Sequence, residues 1–412
     1  MAISRLIVCF DGTWNTPDRG SNPTNVVKIL RAIRNDGGDA RQITFYDKGV
    51  GTGGVCDKVT GGAFGAGLTG NMIDGYRFLA NNWRSGDEIY IFGFSRGAYT
   101  ARSLAGFLGL CGMISPLYLG WGLKSAIGIY RKPKLDKEQK QNAIDALKIE
   151  RNRTARIHCI GVWDTVGALG IPGDLGRNFL SKDLYFHDVQ LSDKVDVALH
   201  AVAIDEKRDE FAPTLWVNHT GSASSNQVVE QVWFAGVHSN VGGSYKDAGL
   251  SDIALDWMIK RISHHTDLAF DDEYINDYVK PSVTGKGVES RSAMYLSSKV
   301  YPYQRLIKQV IPEGKGIGEW FRKEFRKFDR RSILPEGLQT LNEMLHVSVL
   351  ERWQVPVVCD CPEDKQCKPC DYRPVNLSAA IRAQLDGGIS LPVVNWDGNV
   401  MNANDVPFPP LT

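Results

Sequence analysis

The sequence predicts an α/β fold, with a mostly parallel central sheet flanked by helices, helical insertions and an irregular, cysteine-containing C-terminal tail. Three observations predict it. Short apolar runs recur at Arg5–Phe10, Gln42–Asp47, Ile89–Phe92, Ala155–Trp163, Val195–Ile204 and Gln227–Val237, and strands apolar on both faces suit a buried parallel sheet. Segments with helical spacing, Asn25–Arg34 and Met72–Trp83, separate the first three runs. One strand, Ile89–Phe92, passes through Gly93-Phe94-Ser95-Arg96-Gly97 straight into a helical stretch from Ala98. At 412 residues, 43% hydrophobic and 23% charged, the chain can bury a full core of this kind.

The first strand stops at Asp11-Gly12-Thr13-Trp14-Asn15, a turn-rich segment. A phosphatase of the haloacid-dehalogenase type would end this strand in D-x-D-G-T and attack with the first aspartate. Cys9 stands at that place, so the nucleophile of that chemistry is missing. Val26, Val27, Leu30 and Ile33 give the next segment its helical stripe, and Asp36-Gly37-Gly38 stops it. Between Gly49 and Gly70 the chain is glycine-rich. Gly65-Ala66-Gly67-Leu68-Thr69-Gly70 matches a dinucleotide fingerprint letter for letter, but no strand leads directly into it. It is better explained as a loop before the helix Met72–Trp83.

Strand, G-x-S-x-G, helix is the nucleophile elbow of an α/β-hydrolase. The turn is so sharp that side chains at positions 93 and 97 would collide with neighbouring backbone, which is why Gly93 and Gly97 flank Ser95. Backbone N–H groups must then face the oxygen that becomes negative in the reaction. Arg96, directly after the serine, and Gly12 or Thr13, in the loop after the first strand, are the candidate donors. After the elbow helix, residues 112–155 leave the sheet through the charged segment Lys132–Arg153, either as a lid or as a plain surface hairpin.

A serine hydroxyl at neutral pH needs a base within hydrogen-bond reach, and the base needs a carboxylate to orient it. In this fold the three arrive in the order serine, acid, histidine, each at the C-terminal end of a strand. Ser95, Asp164 in GVWDTVG, and His238 after QVVEQVWFAGV satisfy order and placement. Asp205 also ends a strand between the serine and the histidine, and is the alternate acid. His346, before an apolar run, is the alternate base. His158 and His200 fall mid-strand and are expected as core histidines.

These motifs also carry a resemblance. FDGTWN, GDEIYIFGFSRGAYTARSLAGFLG, GVWDTVGALG, WFAGVHSNVGGSY and HVSVLERW resemble the bacterial α/β-hydrolase family of type VI secretion phospholipase effectors, along most of residues 4–353. The resemblance implies lipase or phospholipase A activity on glycerophospholipid esters through Ser95, Asp164 and His238. It also implies export by type VI secretion, with a secretion-apparatus or immunity-protein partner. One departure stands out: the family often has aspartate after His-Ser, where this chain has Asn240.

A net charge of +1 argues against a nucleic-acid partner held by bulk electrostatics. The N-terminus has too few apolar residues for a signal peptide, and no stretch approaches a membrane span, so synthesis in the cytoplasm is expected. A local basic amphipathic segment lies within residues 281–335, where Trp320, Phe321 and Phe325 stand beside Lys323 and Arg326. It is either an interfacial helix on anionic headgroups or a helix packed on the domain. The hydrolase domain is placed at residues 1–352 and an irregular extension at 353–412. In that extension Cys359, Cys361, Cys367 and Cys370 could hold a structural zinc ion, form two disulfides, or stay unlinked. No cofactor is expected for catalysis.

Overall fold

The computed structural model describes residues 3–12, 22–49, 61–132, 134–167, 190–208, 211–219, 226–291, 303–312, 334 and 336–409. In chain order its strands are β1 (Ser4–Phe10), β2 (Arg41–Asp47), β3 (Glu88–Phe94), β4 (Met113–Ile114), β5 (Arg151–Asn152), β6 (Ile157–Trp163), β7 (Val195–Ala203), β8 (Val217–His219), β9 (Val228–Phe234), β10 (Leu338–Thr340), β11 (Glu343–His346) and β12 (Val393–Val394). Eight of them form one sheet in the order β12-β11-β9-β7-β6-β3-β1-β2, and every neighbouring pair in it is parallel.

The order places the site. From β1 the chain goes to β2 on one side, then returns to β3 on the other, so the strand order reverses at β1. In an open α/β sheet such a switch opens a crevice at the carboxyl ends of the strands. Helix α1 (Asn25–Ala32) and helix α2 (Gly61–Asn82) therefore cover opposite faces. Val26 and Ile29 of α1 pack with Ile7, Cys9, Tyr90 and Phe92. Tyr76 and Leu79 of α2, with Leu104 and Phe107 of helix α3 (Arg96–Cys111), pack with Leu6, Val8, Ile89 and Ile91. Alternate residues of β1 and β3 thus face alternate layers, as the period of a strand demands.

Residues 112–155 pack along helix α3. Helix α3 carries the chain about 24 Å from the elbow, and the excursion leaves from that far end. Its short strands β4 and β5 pair antiparallel. Helices α4 (Trp121–Tyr130) and α5 (Lys137–Asp145) pack on α3, with Leu123, Ile127 and Ile144 in the core shared by α2 and α3. The Tyr130 hydroxyl donates to the Ser103 carbonyl halfway along α3 at 3.3 Å.

In the described part of 281–335, regular structure is limited to the single turn Ile307–Gln309; Trp320, Phe321, Lys323, Phe325 and Arg326 lie outside the described residues. The stretch 353–412 is more built in than an irregular extension. It contains a helix, Val375–Leu385, and the edge strand β12. Leu377, Ala380 and Ile381 of that helix share a core with Val202, Ile204 and Trp233. Nearer the cysteines the chain is irregular, as expected, and it is tied by Cys359–Cys370 and Cys361–Cys367 disulfides. All four cysteines of the cluster are paired in these two disulfides.

Candidate active site

Ser95 stands between β3 and α3 with φ 60° and ψ −122°, a conformation that costs a non-glycine residue about 1–3 kcal/mol. Its N–H is tied to the Trp163 carbonyl at 3.1 Å, which holds the turn against β6. The flanking glycines are explained by contact. A Cβ on Gly93 would lie 2.6 Å from the Gly97 carbonyl oxygen, and one on Gly97 would fall on the carbonyl oxygens of Phe10 and Asp11. Both obstacles are backbone, so neither can step aside.

The three residues expected to act together are adjacent. His238 Nε2 is 2.7 Å from Ser95 Oγ, and His238 Nδ1 is 2.5 Å from Asp164 Oδ2. His238 opens a one-turn helix, His238–Gly242, just past β9, and Asp164 follows β6 with φ 41°. Ser95 is 6% exposed, His238 4% and Asp164 0%, so the relay is shielded from water while the serine stays at its outer end. The imidazole is wedged between Phe94 and Phe211, with ring centroids 4.6 and 4.8 Å away.

Asp164 receives more than the histidine. The Ala203 N–H donates to its Oδ1 at 2.9 Å. Arg305, fully buried, donates from Nη1 to Oδ1 at 2.6 Å and from Nη2 to Oδ2 at 2.9 Å. Burial alone would raise the carboxyl; the Arg305 charge and the bonds from His238 and Arg305 outweigh it and hold Asp164 well below the usual carboxylate range. Burial also pushes His238 below its ordinary value, against the pull of Asp164 and with help from the Arg208 charge. The site is therefore poised as carboxylate, neutral imidazole and hydroxyl near neutral pH.

Arg305 was not singled out in the sequence, where one arginine beside Leu306 and Ile307 carries no motif. Glu206 was missed as well. It accepts the backbone N–H of His238 at 3.2 Å and the Ser290 hydroxyl at 2.8 Å, and is held at about 2 against its own burial by the Arg208 guanidinium. Only the place of Glu206 just past β7, next to the β9 end that carries His238, could have hinted at its part.

The alternates fall away. Asp205 does not reach the imidazole; it accepts the Gly236 N–H at 2.6 Å and the Tyr372 hydroxyl at 2.9 and 3.1 Å. His346 caps the helix Val347–Trp353, with Nδ1 2.7 Å from Ser348 Oγ and its ring stacked on Phe234. His200 is a fully buried core residue as expected, its Nε2 accepting from Thr165 N–H at 3.1 Å, whereas His158 is only half-buried and its Nδ1 accepts from Ile89 N–H at 3.4 Å. Asn240 has a use for its amide. It donates to the Lys286 carbonyl at 3.0 Å and accepts from Val237 and Val288 N–H groups, a combination an ionised aspartate could not make.

Of the candidate oxyanion donors, Gly12 turns its N–H to the Asp11 carboxylate at 2.7 Å. Asp11 is fully buried and also takes the Thr24 and Tyr46 hydroxyls at 2.9 and 2.8 Å, so it draws in the nearest donors. Thr13 lies outside the described residues. The Arg96 N–H opens α3 beside the serine, where helix geometry aims the first amides outward. Among the described residues no group of three or more His, Cys, Asp or Glu side chains is placed to hold a metal ion, and no helix is long and apolar enough to cross a membrane.

A family model described as "T6SS, Phospholipase effector Tle1-like, catalytic domain" matches residues 4–261. An uncharacterized protein of Saccharomyces cerevisiae is 31% identical over 228 residues, covering 50% of this chain and 32% of that protein. Two solved structures are also similar. One is an uncharacterized protein from Pseudomonas aeruginosa, with 18% identity and TM-score 0.41, over 68% of this chain and 49% of that one. The other is the Tle1 effector bound to the VgrG spike from the type 6 secretion system, with 17% identity and TM-score 0.35, over 60% of this chain and 52% of that one. The chain thus spans about half the length, or less, of these relatives.

Proposed function

The chain belongs to the Tle1-like catalytic-domain family of type VI secretion phospholipase effectors, and we propose that it is a serine hydrolase cleaving glycerophospholipid acyl esters in the manner of a phospholipase A. The supporting observation is the unbroken relay Asp164–His238–Ser95, with links of 2.5 and 2.7 Å, ending on a serine in a strained elbow. His238 Nε2 takes the Ser95 proton as Oγ attacks the ester carbonyl. Asp164, kept ionised, fixes the tautomer with hydrogen on Nδ1 and stabilises the imidazolium. The Arg96 N–H, with Thr13 as the second candidate, receives the oxyanion. The imidazolium then returns its proton to the leaving lysolipid oxygen, and water attacks the acyl-enzyme by the same base. Export by type VI secretion, a secretion-apparatus or immunity-protein partner, and membrane contact through Trp320–Arg326 belong to the same proposal.

The test treats the protein with a fluorophosphonate probe beside Ser95→Ala, then assays phospholipid vesicles for lysolipid and fatty acid by mass spectrometry. Labelling and lysolipid, both lost in Ser95→Ala, are expected. Absence of labelling overturns the hydrolase; labelling without lysolipid moves the substrate to a soluble ester or thioester.

A further inference from the structure

We propose that Arg305 is a positioning residue of this site: its guanidinium clamps both oxygens of Asp164 and through them holds His238 ready as the base. The inference rests on the hydrolase reading and adds a part that lies beyond residue 261, where the family match ends.

The geometry is a fork on a fork. Nη1 bonds Asp164 Oδ1 at 2.6 Å and the Ala203 carbonyl at 2.7 Å; Nη2 bonds Asp164 Oδ2 at 2.9 Å and the Phe211 carbonyl at 2.6 Å. Two carbonyls and one carboxylate thus fix the guanidinium plane, and the plane fixes the carboxylate. Oδ2, the oxygen that meets His238, is one of the two held. Arg305 is itself anchored from the C-terminal core. Its carbonyl accepts the Asn376 amide at 3.1 Å, and that amide also donates to the Ile204 carbonyl at 3.1 Å. Leu306 and Ile307 beside it are buried. A region without catalytic motifs therefore delivers the cation that orients the acid.

The charge matters as well as the shape. A buried carboxylate facing only an imidazole draws a proton onto the pair at higher pH, because every proton bound there relieves an uncompensated charge. Arg305 supplies that compensation permanently. The other charged and titratable groups around the pair are Glu206 and Arg208, Tyr245, Tyr303, His200 and Arg102. Glu206 and Arg208 bond each other. Burial, helped by the Arg102 charge, holds His200 neutral, down to about 3. Tyr245 is pushed up to about 12 by burial.

The experiment follows kcat/KM for phospholipid hydrolysis against pH in wild type, Arg305→Met and Arg305→Lys. Removing the charge is expected to move the acid limb of Arg305→Met upward by about one pH unit or more, and to lower the plateau at least about tenfold. Arg305→Lys keeps a charge but loses the fork, and its acid limb is expected to move by a smaller amount in the same direction. A lowered plateau with an unmoved acid limb in Arg305→Met would show a structural brace only, and would overturn the proposal. If Arg305→Met does not fold, Arg305→Lys decides, since wild-type limb and plateau in that variant have the same consequence. Wild-type protein unlabelled by fluorophosphonate would instead defeat the hydrolase reading, so the two failures are distinct.

Discussion

Asp164 and Asp205 follow adjacent parallel strands, one after β6 and one after β7, yet their pockets act on them in opposite directions. Asp164 meets Arg305, His238 and one backbone N–H, and is held charged. Asp205 meets one backbone N–H and the Tyr372 hydroxyl, with no cation bonded to it among the described residues; desolvation prevails over these bonds and the Arg352 charge and pushes it up to about 6. Strand-end placement offers an aspartate to the crevice. A cation brought from elsewhere in the chain decides whether that aspartate can serve a histidine.

The sharpest way to break this contrast is to neutralise each acid in turn. Asp164→Asn keeps the shape but offers His238 a donor where it needs an acceptor, and is expected to lower kcat by about 10⁴-fold. Asp205→Asn is expected to stay within about tenfold of wild type. Both are read from phospholipid hydrolysis at pH 8; equal losses would erase the distinction.

Stability should separate the same pair, with opposite dependence on pH. Asp164→Asn strands the Arg305 charge in the core, at a cost of about 3–5 kcal/mol. Because the native Asp164 carboxyl is depressed, its stabilisation is complete above about pH 4 and fades as acid titrates it through its lowered native value. Asp205 is raised, so the sign reverses. Its proton-bound form favours the native state below about pH 4, and that advantage disappears as pH rises through about 6. Urea melts from pH 4 to 8 should show Asp205→Asn gaining on wild type as pH rises. For Asp164→Asn the deficit should stay constant over that range.

How much of this was legible in the sequence follows the same division. The elbow, the parallel strands and the Asp164–His238 pair were readable because each is local: a glycine-flanked serine, an apolar run, a polar residue at its end. Arg305 was not, since its role comes from a contact with residue 164 that no local pattern records. The two aspartates could be ranked only by flanking residues, because their difference lies in Arg305 and Tyr372, far along the chain. For the excursion 112–155 a lid and a plain surface hairpin both stayed open, because its charge marks a surface segment but not which end of α3 it covers. The C-terminal stretch looked irregular because β12 is two residues long, too short for any alternation to show.

The disulfides extend the contrast to the chain segments that support each pocket. Cys359–Cys370 closes an 11-residue separation and Cys361–Cys367 lies inside it. Cys370 is two residues before Tyr372, so this strap serves the Asp205 side, whereas Arg305 reaches Asp164 from another segment. Reduction is expected to remove about 2–3 kcal/mol of stability, chiefly through the entropy of the longer loop. The acid limb of activity should stay in place. Denaturant melts and pH profiles with and without reductant test both statements, and a moved acid limb would join the two pockets.

The smallest effect expected comes from Tyr372→Phe. The hydroxyl donates to both oxygens of Asp205, at 2.9 and 3.1 Å, and its ring lies beneath the Arg352 guanidinium, 5.2 Å from the centroid. Phenylalanine keeps the ring and that stacking but removes a bond to a charged acceptor, worth about 1.5–3 kcal/mol when the acceptor is ionised. At pH 8 Asp205 is ionised and the loss should approach that range. At pH 5 it carries a proton, the acceptor is neutral, and the loss should fall to about 1 kcal/mol. A cost that shrinks with acid while hydrolysis is unchanged would identify the Asp205 pocket as a pH-sensitive brace apart from the relay. A cost flat with pH would mean that Asp205 ionises like an ordinary surface carboxylate, and the opposition between the two strand-end acids would be lost.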